Sequence, residues 1–192
     1  MALSRSLRVD SRRNRQALLA AARAAFRAGE GEAHIEKIAR RAGLAVGTLY
    51  RHFETREALV EEVYRQEIDQ LCVMSAELAD LHAPDEALGR FMLLLVEQTA
   101  AGKGVAFALE GIMTTDSPIF DDARAKIAQA LDRLLEAGAA AKTIRGDIGG
   151  RTLLRAMGGI CGVHTSHNGL DEAACLIAVI LDGLRFGARK AG

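Results

Sequence analysis

The chain has few of the residues that interrupt helices, crosslink chains or cross membranes. Only 2 of its 192 residues are proline, and its richness in alanine and leucine favours helix over strand. Its three cysteines, Cys72, Cys161 and Cys175, form no CxxC pair, which is typical of free thiols in a reducing cytoplasm. No run approaches the roughly 18 apolar residues of a membrane span, and no signal peptide is evident. We therefore expect an all-α cytoplasmic protein with no membrane partner.

Signatures of common enzymes are also missing. The sequence has no G-x-G-x-x-G after a strand, no Walker loop, no H-E-x-x-H and no G-x-S-x-G. None of its five histidines has a sequence-near nucleophile and acid that would form a relay. We therefore expect neither an enzyme nor a cofactor, although an enzyme stays the main alternative from a different class.

The two ends of the chain differ in charge although the formal net charge is zero. Residues 1–60 contain 12 Lys and Arg against 6 Asp and Glu, whereas the remainder contains 13 basic and 19 acidic residues. A polyanion would be drawn to the basic head and repelled by the acidic body.

Apolar residues recur at helical spacing along the whole chain, which predicts about nine helices in two domains. A three-helix head spans residues 1–54, and a larger helical body spans residues 55–192. The head helices are expected at about 10–28, 35–42 and 46–53, with the arginines of the first helix on its outer faces. The body helices are expected at about 56–81, 84–101, 105–113, 118–141, 149–167 and 171–190.

Residues 35–53 have the pattern of a helix-turn-helix. Ala39 supplies a small residue where the two helices cross, and Gly43 tolerates positive φ at the turn. The second helix then presents polar or small groups suited to a major groove: Gly47, Thr48, Tyr50, Arg51 and His52. This spacing alone leaves an ordinary helical hairpin open.

A wider string of residues closely resembles the DNA-binding head of the tetracycline-repressor-like (TetR) family over about Arg12 to Val63. It comprises Ala21-Ala22, Phe26, Gly29, Ile38-Ala39, Ala42-Gly43, Gly47-Thr48-Leu49-Tyr50, His52-Phe53 and Arg56-Glu57-Ala58-Leu59. The resemblance implies a transcriptional regulator, commonly a repressor, that binds double-stranded DNA. The alternative is a DNA-binding protein that acts without a ligand.

The resemblance also implies roles for individual residues. Tyr50, Thr48 and Arg56 would contact phosphates, and Val46, Gly47 and Arg51 would face bases. Arg51 could read guanine with two hydrogen bonds. Each role has an alternative: Tyr50 as a partly buried core aromatic, Thr48 as a solvated side chain, Arg51 as a backbone or solvent contact. His52 is expected either to reach a phosphate or to pack.

Two features depart from the family pattern or extend it. His34 stands where the family commonly has Thr or Ser to cap the second helix, so this helix start is expected to be looser or capped otherwise. The arginine-rich segment Arg5–Arg15 could enter an adjacent minor groove, or serve as a mobile arm of sequence-independent attraction.

The last two helices, about 149–167 and 171–190, have the composition of a homodimer interface. Ala156, Gly158, Gly159 and Gly162 would let another helix approach closely. Apolar residues of the final helix exceed what one core needs: Leu176, Ile177, Val179, Ile180, Leu184 and Phe186. The alternative is an intramolecular helical pair.

The middle helices are expected to enclose a cavity for an unknown small-molecule effector. Its candidate lining residues are Phe91, Leu94, Phe107, Glu110, Met113, Phe120 and Met157. Glu110 lies in an apolar run and could pair with a cationic ligand if buried, although a solvent-facing acid is the alternative. The low aromatic content, 4%, weighs against aromatic stacking in this pocket. No metal site is expected, because Cys161, His164 and His167 spread over more than one helix face and lack a clear fourth ligand. A metal sensor built on these three residues stays open as the alternative.

Overall fold

The computed structural model describes residues 2–28, 30, 34–101, 118–163 and 169–188. Within these ranges the chain forms helices and no strand, as expected from its composition. The helices are α1 (Ala2–Arg27), α2 (Ile35–Arg41), α3 (Val46–His52), α4 (Arg56–Leu81), α5 (Pro84–Ala101), α6 (Pro118–Ala140), α7 (Gly150–Val163) and α8 (Gly169–Ala188). The ninth predicted helix, at about 105–113, lies outside the described residues.

Most helix boundaries follow local signals in the sequence. Both prolines are the first residues of helices, α5 at Pro84 and α6 at Pro118, where a missing N–H costs nothing. The start of α1 differs from the expectation, because the helix begins at Ala2 rather than at Asp10.

The described residues divide into two compact units, and the division falls within α4 between Gln66 and Glu67. The first unit contains α1, α2, α3 and the beginning of α4. Its core is formed by fully buried side chains from all four helices: Leu18, Ala22 and Phe26 of α1, Ile38 and Ala39 of α2, Leu49 of α3, and Leu59 and Val63 of α4. The sequence-based boundary at residue 54 stays a prediction.

In the second unit, α5 packs against α6, α7 and α8. Fully buried side chains include Phe91 and Met92 of α5, Leu131 of α6 and Met157 of α7. Two ion pairs tie helices at the surface of this unit: Lys126 of α6 lies 2.8 Å from Asp69 of α4, and Arg185 of α8 lies 2.7 Å from Asp85 of α5. No helix among the described residues is both long and apolar enough to cross a membrane.

Candidate nucleic-acid interface

The turn between α2 and α3 is closed by a left-handed glycine and two backbone hydrogen bonds. Gly43 has φ +69°. Its N–H donates to the Arg40 carbonyl at 3.0 Å, and the N–H of Leu44 donates to the Ala39 carbonyl at 2.9 Å. This pair of bonds is the Schellman arrangement, in which glycine avoids the steric penalty of positive φ. The predicted role of Gly43 is confirmed.

Two apolar residues hold α3 on the first unit. Leu49 is fully buried in the middle of the helix, and Phe53 is buried directly after its end. The Phe53 N–H donates to the Leu49 carbonyl at 2.9 Å, which completes the last turn. Because residues four apart share a helix face, this anchoring turns the opposite face of α3 outward.

The outward face of α3 carries residues that were predicted from the sequence to contact DNA. The Tyr50 side chain is 48% exposed, and Gly47 and Arg51 are exposed as well. Val46, Thr48 and His52 are half-buried at the flanks. A Cβ added at Gly47 would meet no atom within 4 Å, so the backbone there is open to a close approach. The alternative of Tyr50 as a core aromatic disagrees with its exposure.

The start of α4 lies three residues beyond Phe53. The Ala58 N–H donates to the Thr55 hydroxyl at 3.1 Å, so Thr55 caps the helix. Glu57 occupies the first turn, and Arg56, the predicted phosphate contact, is half-buried there. The cap fixes the backbone direction at the residue that would touch DNA.

One residue of this region was missed by sequence reasoning, which placed Arg15 on an outer face of α1. The Arg15 guanidinium lies 5.1 Å from the centre of the Phe53 ring and 3.2 Å from the Glu62 carboxylate. Arg23 of the same helix donates to Gln66 of α4 at 3.0 Å. Both arginines therefore connect α1 with α4, and Arg15 also supports the residue that ends α3. A signal existed, since Arg15 lies three residues before the buried Leu18 and thus on a neighbouring position of the helix surface.

The start of α2 has no side-chain cap. His34 has extended backbone angles and accepts bonds only through its carbonyl, from the N–H groups of Lys37 and Ile38. The expected loss of a hydroxyl cap is thus observed. Ile35 and Ile38 are buried, so tertiary packing holds the helix in place.

The predicted dimer residues of α8 differ in exposure. Ile177 and Leu184 are buried within the protomer, Ile180 is half-buried, and Leu176, Val179 and Phe186 are exposed. On α7, Ala156, Gly158 and Gly159 are exposed, and an added Cβ at either glycine would meet no atom within 4 Å. Gly162 falls in α7, with its surroundings not described.

The predicted effector residues that the structure describes all belong to the second unit. Phe91 and Met157 are fully buried, and Leu94 and Phe120 are half-buried. Phe107, Glu110 and Met113 lie outside the described residues. A cavity of about 290 Å³ opens at a different place, where α6 meets the connection to α7, and its lining includes Asp132, Leu135, Glu136, Asp147 and Ile148.

Of the candidate metal ligands Cys161, His164 and His167, only Cys161 lies within the described ranges. Cys161 accepts a hydrogen bond from the Thr99 hydroxyl at 3.8 Å. Burial raises the pKa of the Cys161 thiol and this hydrogen bond lowers it, burial being the larger effect. The described residues contain no group of three or more metal-binding side chains, and all three cysteines are free thiols.

The buried crossing of α2 and α3, the glycine turn and the exposed face of α3 define a helix-turn-helix DNA-binding protein. Comparison with known families agrees. Residues 18–63 match the model described as bacterial regulatory proteins of the tetR family, and residues 83–186 match the C-terminal domain of SbtR-like transcriptional regulators. The chain belongs to the TetR family of transcriptional regulators.

Solved structures with the same fold include two relatives of substantial sequence identity. A TetR transcriptional regulator from Streptomyces coelicolor is 37% identical, with 89% of this chain and 98% of that chain covered and a TM-score of 0.73. A TetR regulator from Mycobacterium vanbaalenii is 32% identical, covering 93% and 99%, also with a TM-score of 0.73. The fold is shared by FadR from Bacillus subtilis in complex with stearoyl-CoA, 16% identical, covering 90% and 98%, with a TM-score of 0.64. A search of curated proteins finds no match.

Proposed function

We propose that this TetR-family regulator is a cytoplasmic repressor that binds a palindromic operator as a homodimer and is released by a small-molecule ligand. The observation that carries the proposal is the orientation of α3. Leu49 is buried while Tyr50 and Arg51 are exposed, so this short helix presents its hydrogen-bonding groups to solvent. A helix presented in this way fits the width of a major groove.

The proposed DNA contacts divide into base contacts and phosphate contacts. Arg51 reads a base, with Val46 and Gly47 close to the groove floor, because the guanidinium can donate two hydrogen bonds to guanine. Tyr50 and Thr48 donate hydroxyl protons to phosphates, which position the helix and carry no sequence information.

Two further residues would complete the phosphate contacts. Arg56 follows the capping residue Thr55 at the start of α4, where helix N–H groups also attract anions. His52 is half-buried at the end of α3, shortly before the start of α4 in the sequence. It would contact phosphates of the same DNA strand as Arg56. The DNA-binding domain is proposed to end at residue 54, and Arg56 contributes from the domain that follows.

Dimerisation is proposed through residues 149–167 and 171–190. One recognition helix reads too few base pairs to be specific in a genome, and a symmetric pair doubles the site. Leu176, Val179 and Phe186 leave an apolar surface on α8, and Gly158 and Gly159 leave α7 open to close approach. These two features support a helical interface between two copies.

The effector is proposed to bind among α5, α6 and α7, near Leu94 and Phe120. Both side chains are half-buried, so each has surface available to a ligand, whereas Phe91 and Met157 are packed on all sides and would form the back of the site. A contribution of Phe107, Glu110 and Met113 stays a prediction from the sequence. A small molecule that binds this unit would lower DNA affinity if it favours a different spacing of the two heads.

The test is a selection of DNA sites from a random duplex library with the full chain, followed by affinity measurements. We expect an inverted repeat with half-sites about one helical turn apart. Arg51→Ala should relax base preference at one position per half-site and weaken binding by about 1–3 kcal/mol. Tyr50→Phe should weaken binding to all sequences alike. Binding that neither variant changes would contradict the assignment of α3.

A further inference from the structure

The Glu62 carboxylate lies at the centre of a hydrogen-bonded network between α1 and α4 in the first unit. Its Oε1 atom lies 3.2 Å from the Arg15 guanidinium and accepts a hydrogen bond from Gln66 at 3.3 Å. Its Oε2 atom accepts a hydrogen bond from Arg65 at 3.0 Å. Gln66 in turn accepts a hydrogen bond from Arg23 at 3.0 Å. Two arginines of α1 are therefore tied to α4 through one carboxylate and one amide.

The position of this carboxylate determines where the Arg15 guanidinium lies. The Glu62 side chain is 20% exposed, so water screens the ion pair only in part. An arginine side chain has many rotamers of similar energy, and a charge-assisted bond to a fixed acceptor selects among them. The conformation selected here places the guanidinium 5.1 Å from the centre of the Phe53 ring, within the range of a cation–π contact.

Phe53 connects this network to the recognition helix. Its ring is buried, and its N–H donates to the Leu49 carbonyl in the last turn of α3. Arg51, the proposed base-reading residue, belongs to the same turn. A shift of Phe53 would therefore move the backbone of Arg51 with it. Hydrogen bonds to a base edge depend steeply on distance and angle, whereas attraction to phosphates acts over a longer range.

We propose that Glu62 is a positioning residue that determines the sequence specificity of DNA binding. The carboxylate holds the Arg15 guanidinium against the Phe53 ring, and the ring fixes the end of α3 from which Arg51 reads a base. This inference rests on the proposed function, in which α3 occupies the major groove. Because attraction to phosphates does not need this alignment, loss of the carboxylate should weaken specific binding and leave sequence-independent binding undiminished.

The first test compares Glu62→Gln with a matched control, Glu61→Gln, at a half-buried acid one residue earlier on α4. Both variants remove one negative charge from the full chain. Fluorescence anisotropy gives the affinity for the selected inverted repeat and for a scrambled duplex of equal length, and the ratio of the two affinities cancels the long-range effect of net charge. We expect Glu62→Gln to lower this ratio about three- to tenfold, and Glu61→Gln to leave it unchanged.

The second test asks whether Glu62 acts through Arg15. Arg15→Gln and Glu62→Gln break the same contact, so the double variant should lower the affinity ratio no more than the more damaging single variant. Arg15→Lys keeps a cation between the carboxylate and the ring, and it should retain most of the ratio. Additive losses in the double variant would contradict a route through Arg15.

The outcomes separate this inference from the function beneath it. A merely structural role of Glu62 would lower the melting temperature and both affinities together, so an unchanged ratio in Glu62→Gln overturns the proposal. If the unsubstituted protein binds its selected repeat no better than the scrambled duplex, the proposed recognition by α3 is itself wrong.

Discussion

The guanidinium of Arg15 lies 5.1 Å from the centre of the Phe53 ring, and its Nη2 atom lies 3.2 Å from the Glu62 carboxylate. One α1 side chain thus supports the residue that ends the recognition helix. Because both partners keep some contact with solvent, Arg15→Gln should lower the free energy of unfolding by only about 1 kcal/mol. Urea denaturation measures this change, and Arg13→Gln, at an exposed neighbouring position, should have almost none. Equal effects at both positions would mean that the contacts of Arg15 with Phe53 and Glu62 contribute nothing to stability.

Two glycines of the helix-turn-helix should respond oppositely to alanine. Gly43 has φ +69°, so Gly43→Ala should destabilise the fold by about 1–2 kcal/mol. Gly47 has helical neighbours and open space, so Gly47→Ala should leave stability unchanged or raise it by up to about 1 kcal/mol. Its DNA affinity should nevertheless fall, because the methyl group occupies the surface that approaches the groove. If Gly47→Ala binds DNA with unchanged affinity, this position lies outside the DNA interface.

Gly150, the first residue of α7, lies directly against the backbone of α6. A Cβ at this position would clash with the Ala128 carbonyl oxygen, and the Gly150 N–H donates to the Asp132 carboxylate at 2.5 Å. Gly150→Ala should therefore destabilise the chain by about 1–3 kcal/mol through forced movement of backbone. Thermal unfolding with Gly47→Ala as the control separates this clash from a general effect of alanine.

Val179 tests the proposed dimer without disturbing the protomer core. Its side chain is 65% exposed on α8. Val179→Glu would place a charge in an apolar interface and should convert the dimer to monomer at micromolar concentration, with helix content retained. Light scattering after gel filtration gives the mass, and Arg133→Glu on the exposed side of α6 is the control. A Val179→Glu protein of unchanged mass would exclude this face of α8 from the interface.

The pKa of the Cys161 thiol tests the packing between α5 and α7, because it sets how fast the thiol is alkylated at a given pH. Burial raises its pKa, so it stays protonated to higher pH than an exposed thiol, while the Thr99 hydroxyl partly offsets this by stabilising the thiolate. Thr99→Val should raise the pKa of Cys161 further, and alkylation by iodoacetamide at pH 9 should slow. Mass spectrometry of the peptides reports the rate, with Cys72, whose pKa burial also raises, as the internal reference. Faster alkylation of Cys161 in the variant would contradict the hydrogen bond.

Local signals in the sequence predicted much of the head. Gly43 ends α2 because only glycine adopts positive φ at little cost, and Thr55 caps α4 because its hydroxyl can reach a free N–H. In each case the relevant partners lie within a few residues along the chain.

Other features depend on partners distant in sequence. The sequence placed Arg15 on an outer face, yet this side chain contacts Glu62 and Phe53. Apolar periodicity also placed the start of α1 at about residue 10, whereas the helix begins at Ala2. Likewise, Ile177 and Val179 are both β-branched aliphatic residues of α8. Only packing against the protomer core decided that the first is buried and the second exposed.

By itself, the sequence determined the class of fold, the position of the helix-turn-helix and the family, because turns, caps and apolar periodicity are local properties of the chain. Only the tertiary structure decided that Arg15 contacts Phe53 and Glu62, and which apolar residues of α8 remain uncovered. Those assignments require knowing which helix lies opposite each side chain, and that is fixed by contacts between segments that the sequence separates.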